Sequence, residues 1–324
     1  MKHLSFNATP ITPLPYFSEK YNVELLAKRD DLFSSALGGS KARMLQYILC
    51  PLLSGGAKTI VTAGGPCSNF NRALSLLCAN YGLKMILVSY TDEPNEYKTS
   101  LNNFVVSLTN CEYVYCKKTE VPQTIENVMN RCDKATTRFI YGGGKSLQGI
   151  FAYYDAVREL SYQVSDIDEL FVACGTGTTL TGICAGMQKY YPKAKVHGIS
   201  VARTYEAELP VLKSDMEILN QYLNEEYDFS NLVFHDDFLN GGYSKTSPEE
   251  LRTIQECIFH EGLIIDPTYA GKAFWGMTSI LEKRDYKNKK ILFWNTGGLM
   301  NLLSQKDEFI KIKISQFYGI EIND

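Results

Sequence analysis

Val172-Ala-Cys-Gly-Thr-Gly-Thr-Thr-Leu-Thr-Gly182 reads as an apolar strand, a glycine turn and the opening of a helix. A strand that feeds straight into a helix aims unpaired backbone N–H groups and the positive helix end at one spot beyond the strand, so the turn suits an anion. The hydroxyls of Thr176, Thr178 and Thr179 add donors. No Gly-Lys-Ser/Thr follows at P-loop spacing, and Leu180 stands where a dinucleotide fingerprint needs its third glycine. By itself the stretch fits a phosphate cup or merely a tight strand-to-helix turn.

The same strand-then-helix pattern extends in both directions. Strands are expected at 23–28, 58–62, 84–88, 113–116, 139–141, 169–173, 196–201, 232–234 and 291–294. Amphipathic stretches at 41–53, 68–81, 97–108, 124–136, 147–162, 178–190, 207–223, 248–260 and 271–282 are the expected helices. Such alternation implies an α/β protein with mostly parallel sheets flanked by helices. Glycine turns recur at Thr62-Ala-Gly-Gly-Pro, Tyr141-Gly-Gly-Gly and Asn295-Thr-Gly-Gly, and the carboxyl ends of strands in open α/β sheets are where ligands sit. The four turns should therefore meet at one crevice.

Composition narrows the ligand. In 324 residues, 33 Lys+Arg stand against 36 Asp+Glu, so there is no basic excess for nucleic acid or an anionic membrane. The length suits one large or two medium domains. Nine scattered cysteines, an odd number without a Cys-x-x-Cys pair, read as buried reduced thiols. The N-terminal stretch lacks the apolar segment of a signal peptide, and the chain is expected in the cytoplasm. The four histidines are widely spaced; His235-Asp236-Asp237 reads as a solvated acidic turn before a metal site, and no metal is expected.

Lys41 follows Gly38-Gly39-Ser40 at a helix start, where the local field favours a neutral, nucleophilic amine over an ammonium. Ser68 and Asn69, in Gly64-Gly-Pro-Cys-Ser-Asn-Phe-Asn-Arg72, open another helix and are equally good N-caps. Asp266-Pro-Thr-Tyr-Ala-Gly-Lys272 and Asn295-Thr-Gly-Gly298 are weak signals singly.

Together with Lys28–Met44 and Gly241–Tyr243, these segments resemble, in order and approximate spacing, the 1-aminocyclopropane-1-carboxylate deaminase/D-cysteine desulfhydrase family. Those are pyridoxal-phosphate (PLP) enzymes of the tryptophan-synthase-β fold type, fold type II. The resemblance implies a large domain, residues 1–45 and 147–324, and a smaller α/β domain inserted at 46–146, with PLP in the cleft between them. It further implies that Lys41 carries PLP and acts as base at the substrate α-carbon. Asn69 would meet the cofactor's 3-hydroxyl, Ser68 the substrate carboxylate, Gly175, Thr176, Gly177, Thr178 and Thr179 the phosphate, and Thr296 the pyridine nitrogen. Tyr243 and Tyr269 match the active-site tyrosines, able to move protons where their pKa is lowered. A homodimer acting on a small amino acid is implied as well.

Four departures bear on substrate. Met44 replaces a lysine expected near the phosphate, Phe70 a polar residue, Ser244 a glycine, and Ala270 the glutamate of the true cyclopropane deaminases. Without that carboxylate, Thr296 is left to face the pyridine nitrogen, which resembles the D-cysteine desulfhydrase side of the family. The expected reaction is α,β-elimination to a 2-oxo acid and ammonia. Cyclopropane ring opening, racemisation and β-replacement remain alternatives on the same scaffold, and a low-turnover PLP-binding protein is the alternative of another class.

Overall fold

Leu170, Val172 and Cys174 pack into one apolar cluster and Phe171 and Ala173 into another, the two-residue alternation of a strand buried on both faces. In the computed structural model, which describes residues 3–310, that strand lies inside a six-stranded sheet. The described strands are β1 (Ile11–Pro13), β2 (Glu24–Arg29), β3 (Thr59–Gly64), β4 (Lys84–Ser89), β5 (Cys111–Tyr115), β6 (Thr137–Phe139), β7 (Glu169–Cys174), β8 (Lys195–Ser200), β9 (Leu232–His235) and β10 (Lys290–Asn295).

The larger sheet runs β1-β2-β10-β7-β8-β9 and the smaller β5-β4-β3-β6. All pairings are parallel except β1 with β2. The smaller sheet is built wholly from chain between β2 and β7. In the larger sheet the order turns back between β7 and β10, whose carboxyl ends lead into Gly175 and Thr296, so the crevice predicted for open α/β sheets falls there.

One face of the large sheet, with Ile291 and Phe293, is covered by the helices Pro248–Glu261 and Ala270–Lys283 through Ile254, Phe274 and Met277. The opposite face, with Leu292 and Trp294, packs against Ser40–Ser54, Leu147–Ser161 and Thr178–Tyr190, and its cluster continues without a break into Ile60, Met85 and Leu87 of the small sheet. Helices Leu147–Ser161 and Thr178–Tyr190 meet closely: a Cβ on Gly182 would lie 2.2 Å from the Ile150 carbonyl oxygen.

Several elements differ from the sequence reading. The helix expected at 97–108 is broken at Ser100, whose hydroxyl donates to the Pro66 carbonyl at 2.8 Å and caps Leu101–Ser107 by accepting from Asn103 N–H. The strand expected at 139–141 comes two residues earlier, as β6. The helix expected at 124–136 runs Val121–Arg131, because Pro122 suits a first turn and Asp133 folds the following residues into a turn through Ala135 N–H and Thr136 Oγ1. Short elements were not anticipated: β1, the helix Pro15–Tyr21 and the helix Leu299–Ser304. All nine cysteines are free thiols, and among the described residues no helix is long and apolar enough to cross a membrane.

Candidate active site

Three of the four expected glycine turns converge, and the fourth, at residues 62–66, stands back from the cleft while Ser68 and Asn69 just after it reach the lining. A cleft at the carboxyl ends of β7 and β10 encloses about 1000 Å³ of space, open mouth included. Ten of the eleven residues singled out from sequence line it: Lys41, Ser68, Asn69, Gly175, Thr176, Gly177, Thr179, Tyr243, Tyr269 and Thr296. Thr178 is the exception. Its side chain is fully buried with Oγ1 unpartnered, so only its backbone faces the turn.

Lys41 sits in the first turn of Ser40–Ser54, and its Nζ donates to the Gly143 carbonyl at 2.9 Å. Burial lowers its pKa to about 8, so desolvation, more than the helix end invoked from sequence, makes the amine available. Beneath it lies a buried ionic network. Arg43 binds Asp30 at 2.7 Å and Glu159 at 2.8 Å, Lys28 binds Glu159 at 2.5 Å, and Tyr153 and Trp294 donate to Asp30. Burial works to raise the carboxyl pKa of Asp30, but Arg43, Lys28 and Trp294 together outweigh it and the net shift is downward. These fixed charges tie the Lys41 helix to β2 and to Leu147–Ser161.

Across the cleft, Gly177 adopts φ 81°, and a Cβ there would lie 2.8 Å from both Glu208 Oε1 and Leu212 Cδ2. Only glycine fits this turn without strain. The N–H groups of Thr176, Thr178, Thr179 and Leu180 find no acceptor among the described residues. A cradle of unpaired donors at a helix start fits the phosphate of PLP, and an amine on the facing wall fits its aldehyde. Buried Glu208, beside the cup, is neutralised by Arg203 at 2.8 Å, and Arg203 also lines the cleft.

Ser68 caps Asn69–Asn80 by accepting from Asn71 N–H at 3.2 Å, so the capping role weighed from sequence is real, and its own O–H stays free to donate. Asn69 Oδ1 accepts from Asn102 at 3.1 Å. The Tyr243 and Tyr269 hydroxyls lie 2.7 Å apart. Burial pushes Tyr243 up to about 12 and Tyr269 well above its ordinary value, so in the protein alone both are neutral phenols. Lys272 steadies the Tyr243 loop by donating to the carbonyls of Leu239 (3.1 Å), Gly242 (3.4 Å) and Lys245 (2.8 Å). Asp266 caps Ala270–Lys283 through the N–H groups of Thr268, Tyr269 and Ala270, which aims Tyr269. Ser40 N–H donates to the Thr296 carbonyl at 2.9 Å, joining the Lys41 and β10 turns.

Two departures prove to be neighbours: a Cβ on Gly144 would meet Met44 Sδ at 3.0 Å and Phe70 Cε2 at 3.4 Å. Together they make an apolar plug behind the glycine turn that holds Lys41. Ser244 takes φ 58°, a left-handed backbone that explains why glycine is usual there. Arg72, Arg203 and Gly143 were not singled out, although Gly143 lies in one of the glycine turns. His235 pairs with His197 at 2.9 Å, and His197 with Glu169 at 2.8 Å.

Two sheets of this topology, with a lysine facing a strand-turn-helix anion cup across their cleft, define the fold type II class of PLP enzymes. The family described as pyridoxal-phosphate dependent enzyme matches residues 4–297, and the chain belongs to it. It is 31% identical over 322 residues to a Thermotoga maritima protein named as a candidate 1-aminocyclopropane-1-carboxylate deaminase, covering 95% of this chain and 99% of that one. A solved structure described as an ACC deaminase homologue superposes with TM-score 0.85 at 28% identity, covering 94% of each chain. The fold is shared with threonine deaminase isoform 2 from Solanum lycopersicum, at TM-score 0.71, 15% identity and coverage of 97% and 89%. The cofactor is PLP.

Proposed function

We propose that this enzyme takes the α-proton from a small amino acid and expels a β-substituent, in the manner of a D-cysteine desulfhydrase. Loss of both groups leaves an enamine that water converts to a 2-oxo acid and ammonia. The observation that carries the reading is an amine of lowered pKa, Lys41, sharing one cleft with two neutral, mutually bonded phenols, Tyr243 and Tyr269.

PLP, when bound, supplies the electron sink at the α-carbon. Lys41, with its pKa about 8, is neutral in roughly a tenth of molecules at pH 7 and half at pH 8, so it can take a proton near physiological pH. Tyr243 and Tyr269 hold their protons and are suited to donate to a departing group. Ser68 O–H is free to bind the substrate carboxylate, Asn69 is assigned to the cofactor's 3-hydroxyl, and Gly175–Thr179 to its phosphate. Thr296, a neutral partner for the ring nitrogen, suits elimination over chemistry that needs a deeper sink.

The reading includes a small domain at 46–146, supported by β3 to β6 all falling within it, and a cytoplasmic homodimer, consistent with nine free thiols. Ring opening of the cyclopropane amino acid is the second reading, favoured by the names of the Thermotoga relative and the 28%-identical structure. Titrating the PLP-loaded protein with D- and L-amino acids and the cyclopropane amino acid, with 2-oxo acid and ammonia assays, separates the two. Inverted amino acid in place of 2-oxo acid would make it a racemase, and a Lys41→Ala protein that kept the absorbance band of lysine-bound PLP would remove the central assignment.

A further inference from the structure

Among the described residues, the other arginine that lines this cleft and the cations of the network beneath it have carboxylate partners. Arg43 has Asp30 and Glu159, Lys28 has Glu159, and Arg203 has Glu208. Arg72 is different. It is 4% exposed and lines the cleft, yet its acceptors within the protein are neutral: Nε donates to Asn102 Oδ1 at 2.9 Å and Nη1 to the Ala36 carbonyl. Burial lowers its pKa to about 10, which leaves it charged at neutral pH.

A buried charge without a counter-ion is costly. The guanidinium is nonetheless held rigidly, because Asn102 is itself fixed by bonds to the Cys67 carbonyl (3.0 Å), Asn69 (3.1 Å) and Asn301 (2.8 Å). Nη2 has no acceptor among the described residues and remains available. Helical side chains lean toward the N-terminus and residues four apart share a face, so Arg72 reaches back over the turn that begins at Ser68. The phosphate cup belongs to a different wall, that of β7 and Thr178–Tyr190.

We propose that Arg72 is a specificity residue whose missing counter-ion is the substrate's α-carboxylate, which it binds beside the Ser68 hydroxyl and so selects amino acids over plain amines. The proposal rests on the elimination reading, since both require an amino acid in this cleft.

The test uses PLP-loaded wild type, Arg72→Gln and Arg72→Lys. Each is titrated with D- and L-alanine and with ethylamine, which lacks the carboxylate, reading the visible band of the lysine-bound cofactor. PLP affinity is measured separately. Wild type is expected to favour alanine of one hand over ethylamine by about 10–100-fold, the value of a charged hydrogen bond, and Arg72→Gln to lose that preference with PLP affinity unchanged. Arg72→Lys, which keeps a charge without the planar fork, should retain part of it and carries the comparison should Arg72→Gln not fold. Undiminished preference in the variants overturns the proposal, as does a fall in PLP affinity with the preference intact. A wild-type band that no amino acid moves overturns the functional reading itself and the carboxylate seat with it.

Discussion

Replacing Lys41 by methionine should make the cofactor-free protein more stable while leaving it unable to bind PLP covalently. The folded pKa of about 8 lies below the 10.5 of a free lysine, so between those values the unfolded chain holds a proton that the folded one does not. Stability therefore rises with pH across that window. Below pH 8 both states are protonated and the folded protein bears the full cost of a buried ammonium, 2.5 pKa units or about 3 kcal/mol. Above pH 10.5 the cost is gone. Because Lys41 is partly exposed, solvent screening reduces the gain at pH 7 to about 1–3 kcal/mol. Urea unfolding of PLP-free wild type and Lys41→Met at several pH values between 7 and 10.5 reads this directly. The difference should shrink toward zero as pH rises. A variant no more stable than wild type at pH 7, or a gap that does not depend on pH, would refute the placement of Lys41 as a desolvated amine.

Gly177→Ala puts a methyl group 2.8 Å from Glu208 and Leu212 on a left-handed backbone, and equilibrium titration should show PLP affinity reduced about 5–100-fold, in line with ~1–3 kcal/mol of backbone strain. Lys272→Met removes the ammonium that gathers three carbonyls; hydrogen exchange should quicken at Leu239–Lys245 while the cup at 175–179 stays protected, and equal exchange in both proteins would count against the role given to Lys272. Asp30 and Glu159 have depressed pKa values, because Arg43 and Lys28 outweigh the desolvation that opposes them. Their contribution is present above the free values of 3.8 and 4.5 and is lost as pH falls through the folded ones, so acid unfolding should steepen below about pH 4 and Glu159→Gln should flatten it.

What could be read from sequence was local. Glycine turns, β-branched runs and caps involve residues within a few positions of one another, so the strand order of events, the Lys41 turn and the cup were all legible. Short pieces without a period, such as β1 and Pro15–Tyr21, left no signal. Ser100 hid a helix break because its partner, the Pro66 carbonyl, is 34 residues away. The lone charge on Arg72 and the Glu169–His197–His235 chain are invisible for the same reason: each depends on what distant strands and helices bring alongside. That burial holds the two tyrosines neutral in the protein alone was equally out of reach, because burial is a property of the folded whole.

The apolar cluster that runs unbroken from Leu292 and Trp294 of the large sheet to Ile60 and Met85 of the small one limits how the chain can be cut and rejoined. A fragment holding the small sheet alone would leave one side of its interior facing water and should be recovered as aggregate. Grafting that segment from a relative into this chain would bring a foreign half of a shared interior with it, so chimaeras should need matching changes in Ser40–Ser54 and Leu147–Ser161 before they fold.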